Sequence, residues 1–345
     1  MIFPESHTDA TLKKTWRQRM QFQNFIRSLG ITFAAVFCLQ SANAQSATYP
    51  DKPIKLVVPY APGGPTDLVA RSMASTLSQL LHQPVVVENK AGAGGVIGTN
   101  FVVTSPADGY TLLLGLQGPI TINPALTKVP YDPFQDLVAV RMIATAPMVL
   151  MASKKSGITS LAQVTAMSKR DGTGLNIGSP GNGTLPHVAA ELLKHETGSN
   201  LVHVPYKGAG PALVDLNAGH IDLLFSDLQV GLPFITSGQV TPLAVTSAGR
   251  SSKLPNVPTL AEGGFGNTRL AGWYGIFAPK NTPAPIVAKI NQTVDGMFQD
   301  PVFKKVLENQ GAQKSTASGA EFTKFLHVEF EQWSRLGKSI AIKMD

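Results

Sequence analysis

The chain has 345 residues, enough for two domains of ordinary size. Its formal charge of +7 is spread along the sequence without a basic run, which argues against a nucleic-acid partner because such proteins cluster their lysines and arginines. It contains a single cysteine, Cys38, so no disulfide within the chain supports the fold.

The first 44 residues have the layout of a cleavable export signal. Basic residues precede the apolar stretch "LGITFAAVFCL" (residues 29–39), which is shorter than the ~20 residues that span a bilayer. Ala42 and Ala44 then give the small-x-small pattern that precedes a cleavage point. We therefore expect cleavage after Ala44, with Met1 and Met20 both open as translation starts.

From residue 50 onward, predicted strands and helices alternate. The first block contains "IKLVV" (54–58), a helix from Asp67, "PVVVEN" (84–89), a helix near 95–103 and "YTLLLG" (110–115). The second contains a helix from Thr159, "LNIGS" (175–179), a helix from Pro186, "NLVHVPY" (200–206), a helix from Pro211 and "IDLLFSD" (221–227). This alternation predicts an α/β fold with largely parallel sheets.

Two long apolar runs predict that the chain crosses between two lobes. They are "DLVAVRMIATAPMVLMASKKS" (136–156) and "GWYGIFAP" (272–279). The predicted organisation is a signal peptide (1–44), a discontinuous domain I (45–147 and 270–345) and an inserted domain II (148–269). The tail from 284 to 344 is predicted helical, with a core-facing stripe of Phe322, Phe325, Leu326 and Trp333.

Two glycine-rich loops share one pattern. "PGGPT" (Pro62–Thr66) follows the first strand and "PGNGT" (Pro180–Thr184) follows a strand of the second block, and each precedes a helix. Glycine allows close approach of backbone N–H groups to a ligand, and a helix N-terminus favours negative charge. The pair predicts two walls of one cleft with a shared anion site. The alternative is two unrelated turns, the first with Thr66 or Asp67 as helix N-cap.

Three polar residues near these loops each allow two interpretations. Asp67 either forms a cap and a surface pair with Arg71, worth ~0.2–0.5 kcal/mol, or has a role in binding, in which it orients the loop amides or meets a ligand ammonium. Asp227 is either the N-cap of the next helix or part of the cleft wall. Tyr206 is either a core tyrosine or a phenol that donates to a bound carboxylate.

Other motifs give little support for catalysis. "GAGGVIG" (92–98) departs from the G-x-G-x-x-G spacing of a dinucleotide site, which favours a tight turn near the lobe interface. The histidines lack metal-binding spacing, and neither a G-x-S-x-G nor an S-x-x-K motif is present. We therefore predict no catalytic residue, no metal and no cofactor.

Several long motifs resemble one family. "YPDKPIKLVVPYAPGGPTDLVAR", "ENKAGAGGVIGTNFVVTSPADGYTLLLG", "HVPYKGAGPALVDLNAGHIDLLFSD" and "GWYGIFAPKNTP" are similar to the Bug family, the extracytoplasmic receptors of tripartite tricarboxylate transporters (the TctC type), over residues 46–345. The resemblance implies a two-lobed periplasmic-binding-protein fold (type II-like) with the ligand cleft between the lobes. It also implies a periplasmic monomer that captures a small organic (di)carboxylate or related anion for the transporter's membrane subunits.

The resemblance further implies how the ligand is held. Both loops, here residues 60–67 and 179–184, would hold a carboxylate through backbone groups and ordered water. We expect amides around Gly64 and Gly183 to supply most donors, with hydroxyls from Thr66 and Thr184. The predicted ligand-binding residues are Tyr60, Pro62, Gly63, Gly64, Thr66, Asp67, Gln117, Ser179, Gly181, Asn182, Gly183, Thr184, Tyr206 and Asp227.

One position departs from the family pattern and leaves the ligand open. The family has a small hydroxyl residue at about the position of Gln117, so a bulkier amide should change the distal pocket. Two alternatives to a transport receptor stay open at this point. One is a secreted enzyme acting on a carboxylate substrate, and the other is a ligand-sensing module for a signalling partner.

Overall fold

The computed structural model describes residues 49–169, 174–247, 249–265 and 270–339. Its strands form two sheets, each at the centre of one lobe. The predicted signal peptide and its cleavage point lie outside the described residues. None of the helices in the described ranges is long and apolar enough to cross a membrane.

The described strands, in chain order, are β1 (Ile54–Val58), β2 (Val85–Asn89), β3 (Thr111–Gly115), β4 (Leu137–Ala146), β5 (Met148–Ser153), β6 (Leu175–Ser179), β7 (Leu201–Pro205), β8 (Leu223–Asp227), β9 (Val240–Val245), β10 (Gly272–Pro279) and β11 (Gln313–Lys314). The α-helices are α1 (Pro65–Leu81), α2 (Val96–Val103), α3 (Asn123–Leu126), α4 (Pro133–Asp136), α5 (Leu161–Ser168), α6 (Leu185–Thr197), α7 (Ala209–Ala218), α8 (Leu228–Thr236), α9 (Ala284–Met297), α10 (Pro301–Asn309) and α11 (Gly319–Ser339). Short 3₁₀ segments span Ala93–Gly95 and Lys154–Ser156, and a π-helical turn spans Gly118–Ile122.

Both sheets are mixed rather than largely parallel. The first has the order β11-β4-β10-β3-β1-β2 and the second β7-β6-β8-β5-β9. The strands of the alternating blocks pair in parallel, as the sequence predicts. The prediction was wrong for the crossing strands, because β4 and β5 enter the two sheets antiparallel to their neighbours.

The chain changes sheet at Pro147. Strand β4 ends at Ala146 in the first sheet, and β5 begins at Met148 in the second. Strand β10 returns the chain to the first sheet at Gly272, where it pairs with Ala146. The changes of sheet fall close to the domain boundaries expected from the sequence, and the boundaries themselves stay a prediction.

Helix α11 packs the C-terminal tail onto the crossing region. Phe322, Leu326 and Trp333 are buried, but Phe325 is 38% exposed, so the predicted stripe was wrong at that position. Between them, the buried Glu329 accepts hydrogen bonds from Thr121 Oγ1 (2.7 Å) and Trp273 Nε1 (2.9 Å). Burial raises the pKa of Glu329 to about 7. The carboxyl group thereby joins α11 to β10 and to the π-helical turn.

Candidate ligand-binding cleft

A cavity of about 1130 Å³ lies between the two sheets. Its wall takes residues from both lobes and from the crossing strands. The lining residues are Tyr60–Thr66, Ala91–Val96, Leu116–Gly118, Asn123, Thr127–Val129, Ala146, Met148, Pro180–Pro186, Lys207–Pro211, Asp227 and Gly272–Tyr274. Both P-G-x-x-T loops therefore line the same cavity, as their shared sequence pattern predicts.

The first loop (Pro62–Thr66) is held from behind by Asp67. The Gly63 amide donates to Asp67 Oδ2 (3.0 Å), which also accepts from Arg71 Nε (2.8 Å). Asn89 Nδ2 donates to the other oxygen, Oδ1 (3.0 Å). Although burial opposes it, these hydrogen bonds hold the pKa of Asp67 below its usual value. Asp67 thus both pairs with Arg71 and orients the loop.

Helix α1 then begins with unused backbone donors. Its N-cap is Gly64, without a side-chain cap, rather than Thr66 or Asp67. The amides of Gly64 and Thr66 donate no hydrogen bond to another described residue, although both residues line the cavity. Pro65, at the first helical position, has no N–H to satisfy. The positive end of a 17-residue helix therefore faces the cavity with free donors.

In the second loop (Pro180–Thr184), three donors already form hydrogen bonds within the second lobe. The Gly183 amide donates to His187 Nδ1 (3.2 Å), and the Gly181 amide donates to Ser179 Oγ (3.2 Å). The Thr184 hydroxyl donates to the Gly181 carbonyl (2.6 Å). In this structure those two groups donate within the second lobe, and their predicted donation to a ligand stays a prediction. The Leu185 amide, one residue further, donates to no described residue and lines the cavity.

A pair of stacked histidines supports this second loop. The rings of His187 and His203 lie 4.1 Å apart at 24°, and His203 Nε2 lies 2.7 Å from Ser179 Oγ. Burial lowers the pKa of both histidines to about 4. They are neutral at ordinary pH, so His187 Nδ1 carries the lone pair that the Gly183 amide requires.

Glycines allow the two lobes to touch beside the loops. A Cβ on Gly94 would lie 3.1 Å from the Asn182 carbonyl oxygen, and one on Gly118 would lie 3.1 Å from that of Gly183. A Cβ on Gly183 would lie 2.5 Å from Asn123 Oδ1. Backbone of the second lobe therefore rests directly against the first lobe, in contacts that leave no room for a side chain.

Three residues predicted to bind the ligand lie outside the lining. Asp67 and Ser179 stand behind their loops in the contacts described above. Tyr206 donates its phenol hydrogen to Asp215 Oδ2 (2.7 Å) and is not among the residues that line the cavity. The other predicted residues line the cavity: Tyr60, Pro62, Gly63, Gly64, Thr66, Gln117, Gly181, Asn182, Gly183, Thr184 and Asp227. Their contact with a ligand stays a prediction.

Sequence reasoning missed other parts of the wall. Gly94 and Asn123 form the lobe contacts, and Lys128 and Lys207, one from each lobe, lie exposed at the cavity edge. The glycine-rich run at 92–95 does indicate the contact of Gly94, because the sequence predicts a tight turn near the lobe interface there and the structure agrees. In the described ranges, no group of three or more metal-ligating side chains is present.

Two α/β lobes around a cleft lined by helix N-termini define a solute-binding protein of the periplasmic type. A family model described as the tripartite tricarboxylate transporter family receptor matches residues 69–342, and the chain belongs to this family of receptors. BugT of Bordetella pertussis is 35% identical over 327 residues, which cover 94% of this chain and 100% of that protein.

Solved structures agree with the fold. The periplasmic binding protein BugD is 34% identical with a TM-score of 0.79, and the match covers 86% of this chain and 99% of that one. The R. palustris protein Rpa4515, solved with adipate, is 33% identical with a TM-score of 0.79, covering 85% and 99%. The two-lobed α/β fold and the family predicted from the sequence are confirmed.

Proposed function

We propose that the cleft binds one carboxylate of a small organic acid between the two P-G-x-x-T loops. The observation that carries this proposal is the set of unused amides on Gly64, Thr66 and Leu185, which belong to opposite lobes and line one cavity. Backbone donors at helix N-termini suit a carboxylate, and a charge-assisted hydrogen bond contributes about 1.5–3 kcal/mol. Binding would pull both loops onto the same anion and thereby hold the lobes together.

The charge around the cavity supports an anionic ligand. Lys128 and Lys207 form no salt bridge in the described part of the chain, and Asp227 is the single acidic residue among the lining residues. Two free cations at the edge raise the local concentration of anions and their rate of association. The cavity is also larger than a small acid needs, which leaves space for ordered water beside the ligand.

The related structure with adipate supports the same class of ligand. A dicarboxylate is bound in Rpa4515, whose fold matches this chain over most of its length. We infer that the protein captures such an acid in the periplasm and presents it to the membrane subunits of a tripartite tricarboxylate transporter. It acts as a monomer, starts at Gln45 after cleavage, and releases its ligand unchanged rather than acting as an enzyme.

Isothermal titration calorimetry with a panel of acids tests the proposal. The panel contains glutarate, adipate, citrate, butyrate and the amino acids glutamate, 2-aminoadipate and 4-aminobutyrate. At least one acid should bind with 1:1 stoichiometry, and the tightest is called the reference acid below. Mass spectrometry of the recovered acid should find it unchanged. Conversion to a product would favour an enzyme, and binding of none of the acids would contradict the carboxylate site.

A further inference from the structure

The floor of the cleft differs chemically from its loop walls. Asp227, at the end of β8, is paired in register with Met148, and the next amide, Leu228, donates to the Pro147 carbonyl (3.1 Å). On the other lobe, Gln117 Nε2 donates to the Ala271 carbonyl (3.2 Å), next to the returning strand β10. Asp227 thus lies beside the start of β5, and Gln117 lies next to the start of β10. They belong to different lobes, and both line the cavity. We call this pair the cleft floor.

Among the described residues, no cation forms a salt bridge with the carboxyl group of Asp227. It is half-buried at the N-cap position of α8, yet it makes no side-chain cap bond. Apart from its own backbone amide, no group in the described ranges donates to it, and it forms no salt bridge there. Burial raises the pKa of Asp227 to about 6, which is the usual response of a carboxyl group that lacks a partner.

The second floor residue is also an acceptor. Because the Ala271 carbonyl requires a donor, the Gln117 amide is fixed with Nε2 toward that carbonyl and Oε1 available to the cavity. No described residue donates to Oε1. Nearby, the Tyr274 hydroxyl donates to Gln310 Oε1 (3.2 Å), so its hydrogen is also used inside the protein. The floor therefore offers oxygen lone pairs, whereas the loops offer N–H groups.

We propose that the cleft floor binds a cationic nitrogen of the ligand, so that the natural ligand is an amino-carboxylate rather than a plain carboxylic acid. This inference rests on the proposed function, since the loops must hold the carboxylate for the floor to receive the amine. An ammonium group supplies a positive charge that balances the Asp227 carboxylate. It also donates hydrogen bonds, which Asp227 and Gln117 Oε1 can accept. A second carboxylate on the floor would instead be repelled by Asp227.

The experiment uses matched acids that differ only in the amine. Calorimetry compares glutamate with glutarate, 2-aminoadipate with adipate, and 4-aminobutyrate with butyrate on the full mature protein. In the pair that binds best, we expect the amine-bearing acid to bind about 10-fold to 100-fold more tightly. Asp227→Asn keeps the shape of the side chain and should remove most of that preference. Asp295→Asn removes an equally negative but exposed side chain on α9 and should leave the preference intact.

The outcomes separate this inference from the function on which it rests. If amine-free acids bind as tightly as their partners, the inference is wrong while the carboxylate site stands. If Asp227→Asn retains the preference, the floor does not recognise the nitrogen. If citrate alone binds, the carboxylate site stands and this inference is wrong. If no acid of the panel binds, both proposals fail. The wild-type comparison decides the matter by itself should the Asp227 variant not fold.

Discussion

The two P-G-x-x-T loops share a sequence pattern but use their backbone amides in different ways. In the first, a buried acid (Asp67) takes only the Gly63 amide from behind and leaves later amides free. In the second, His187 and Ser179 take the amides of Gly183 and Gly181. The first loop therefore leaves amides available to a ligand, whereas the second uses its amides to hold its own shape. The following changes test that difference.

The largest effect should come from a side chain at Gly183. Gly183 has φ +71°, and an added Cβ would press on Asn123 of the other lobe; Gly63 has φ +85° but open space around it. Both alanine variants carry backbone strain of ~1–2 kcal/mol, but only Gly183→Ala also blocks the approach of the lobes. We expect Gly183→Ala to weaken the reference acid roughly 100-fold and Gly63→Ala less than about 10-fold.

Calorimetry on both variants checks this expectation. Combining Gly183→Ala with Asn123→Ala should recover part of the affinity, because it removes the atom that the new Cβ meets. Equal losses in the two single variants would show that strain alone matters and that the loops do not differ in this respect.

A smaller loss should follow from removing the support under the second loop. His187→Phe keeps an aromatic ring in the stack with His203 but leaves the Gly183 amide buried without an acceptor, at a cost of about 1–3 kcal/mol. We expect this variant to bind the reference acid about 10-fold more weakly, as measured by calorimetry. His187→Asn offers an oxygen near the position of Nδ1 and should lose less. If both variants bind like wild type, the histidine does not position the loop.

The same histidines predict a pH dependence of stability. Their pKa of about 4 in the folded protein lies below the value near 6.5 expected when unfolded, so the unfolded chain binds protons first. The stability that the two neutral histidines contribute to the folded protein is complete above about pH 6.5 and is lost as the pH falls toward 4. Glu329, with its pKa raised to about 7, acts in the opposite sense and loses its contribution as the pH rises.

The check is therefore a difference between proteins. Denaturant unfolding between pH 4 and 7 should show a shallower loss on acidification for a His187→Phe/His203→Phe double variant than for wild type. A Glu329→Gln variant serves as the matched control. It lacks the group whose contribution falls as the pH rises, so its free energy of unfolding should fall more steeply on acidification than that of wild type. Parallel curves for wild type and the double histidine variant would contradict the assignment.

The smallest effects concern the support of the first loop. Asp67→Asn weakens the acceptor for the Gly63 amide and removes the charge that Arg71 and Asn89 share, so the reference acid should bind a few-fold, roughly 3-fold to 10-fold, more weakly. Arg71→Ala should change affinity less than about 2-fold, because the arginine side chain is 55% exposed and its pair is screened. A larger loss for Arg71→Ala than for Asp67→Asn would indicate an ordinary salt-bridge site.

The sequence predicts much of this arrangement because its signals are local. Apolar runs of four to six residues ended by glycine or proline correctly give strands such as β1 and β6, and the P-G-x-x-T loops correctly fall at the strand ends. The apolar run around Pro147 likewise indicates the passage from one sheet to the other, although strand direction within a sheet depends on the whole topology.

Side-chain partners were harder to predict for a physical reason. The strand pattern places Tyr206 at the cleft end of its strand, but a hydrogen bond to Asp215 on a following helix decides where its hydroxyl points. His187 stands four residues after Gly183, a spacing that permits a bond to the loop amide, yet only the buried stack with His203 fixes its ring there. Such choices depend on tertiary neighbours, which periodicity does not encode.

A crystal structure of the protein with its reference acid would test the central claim most directly. We predict one carboxylate between the loops, with its oxygens about 3 Å from the amide nitrogens of Thr66 and Leu185 or joined to them by single waters. The Gly183 amide should still donate to His187. A carboxylate held instead by Lys128 or Lys207 at the cavity edge, with the helix N-termini left empty, would contradict the claim.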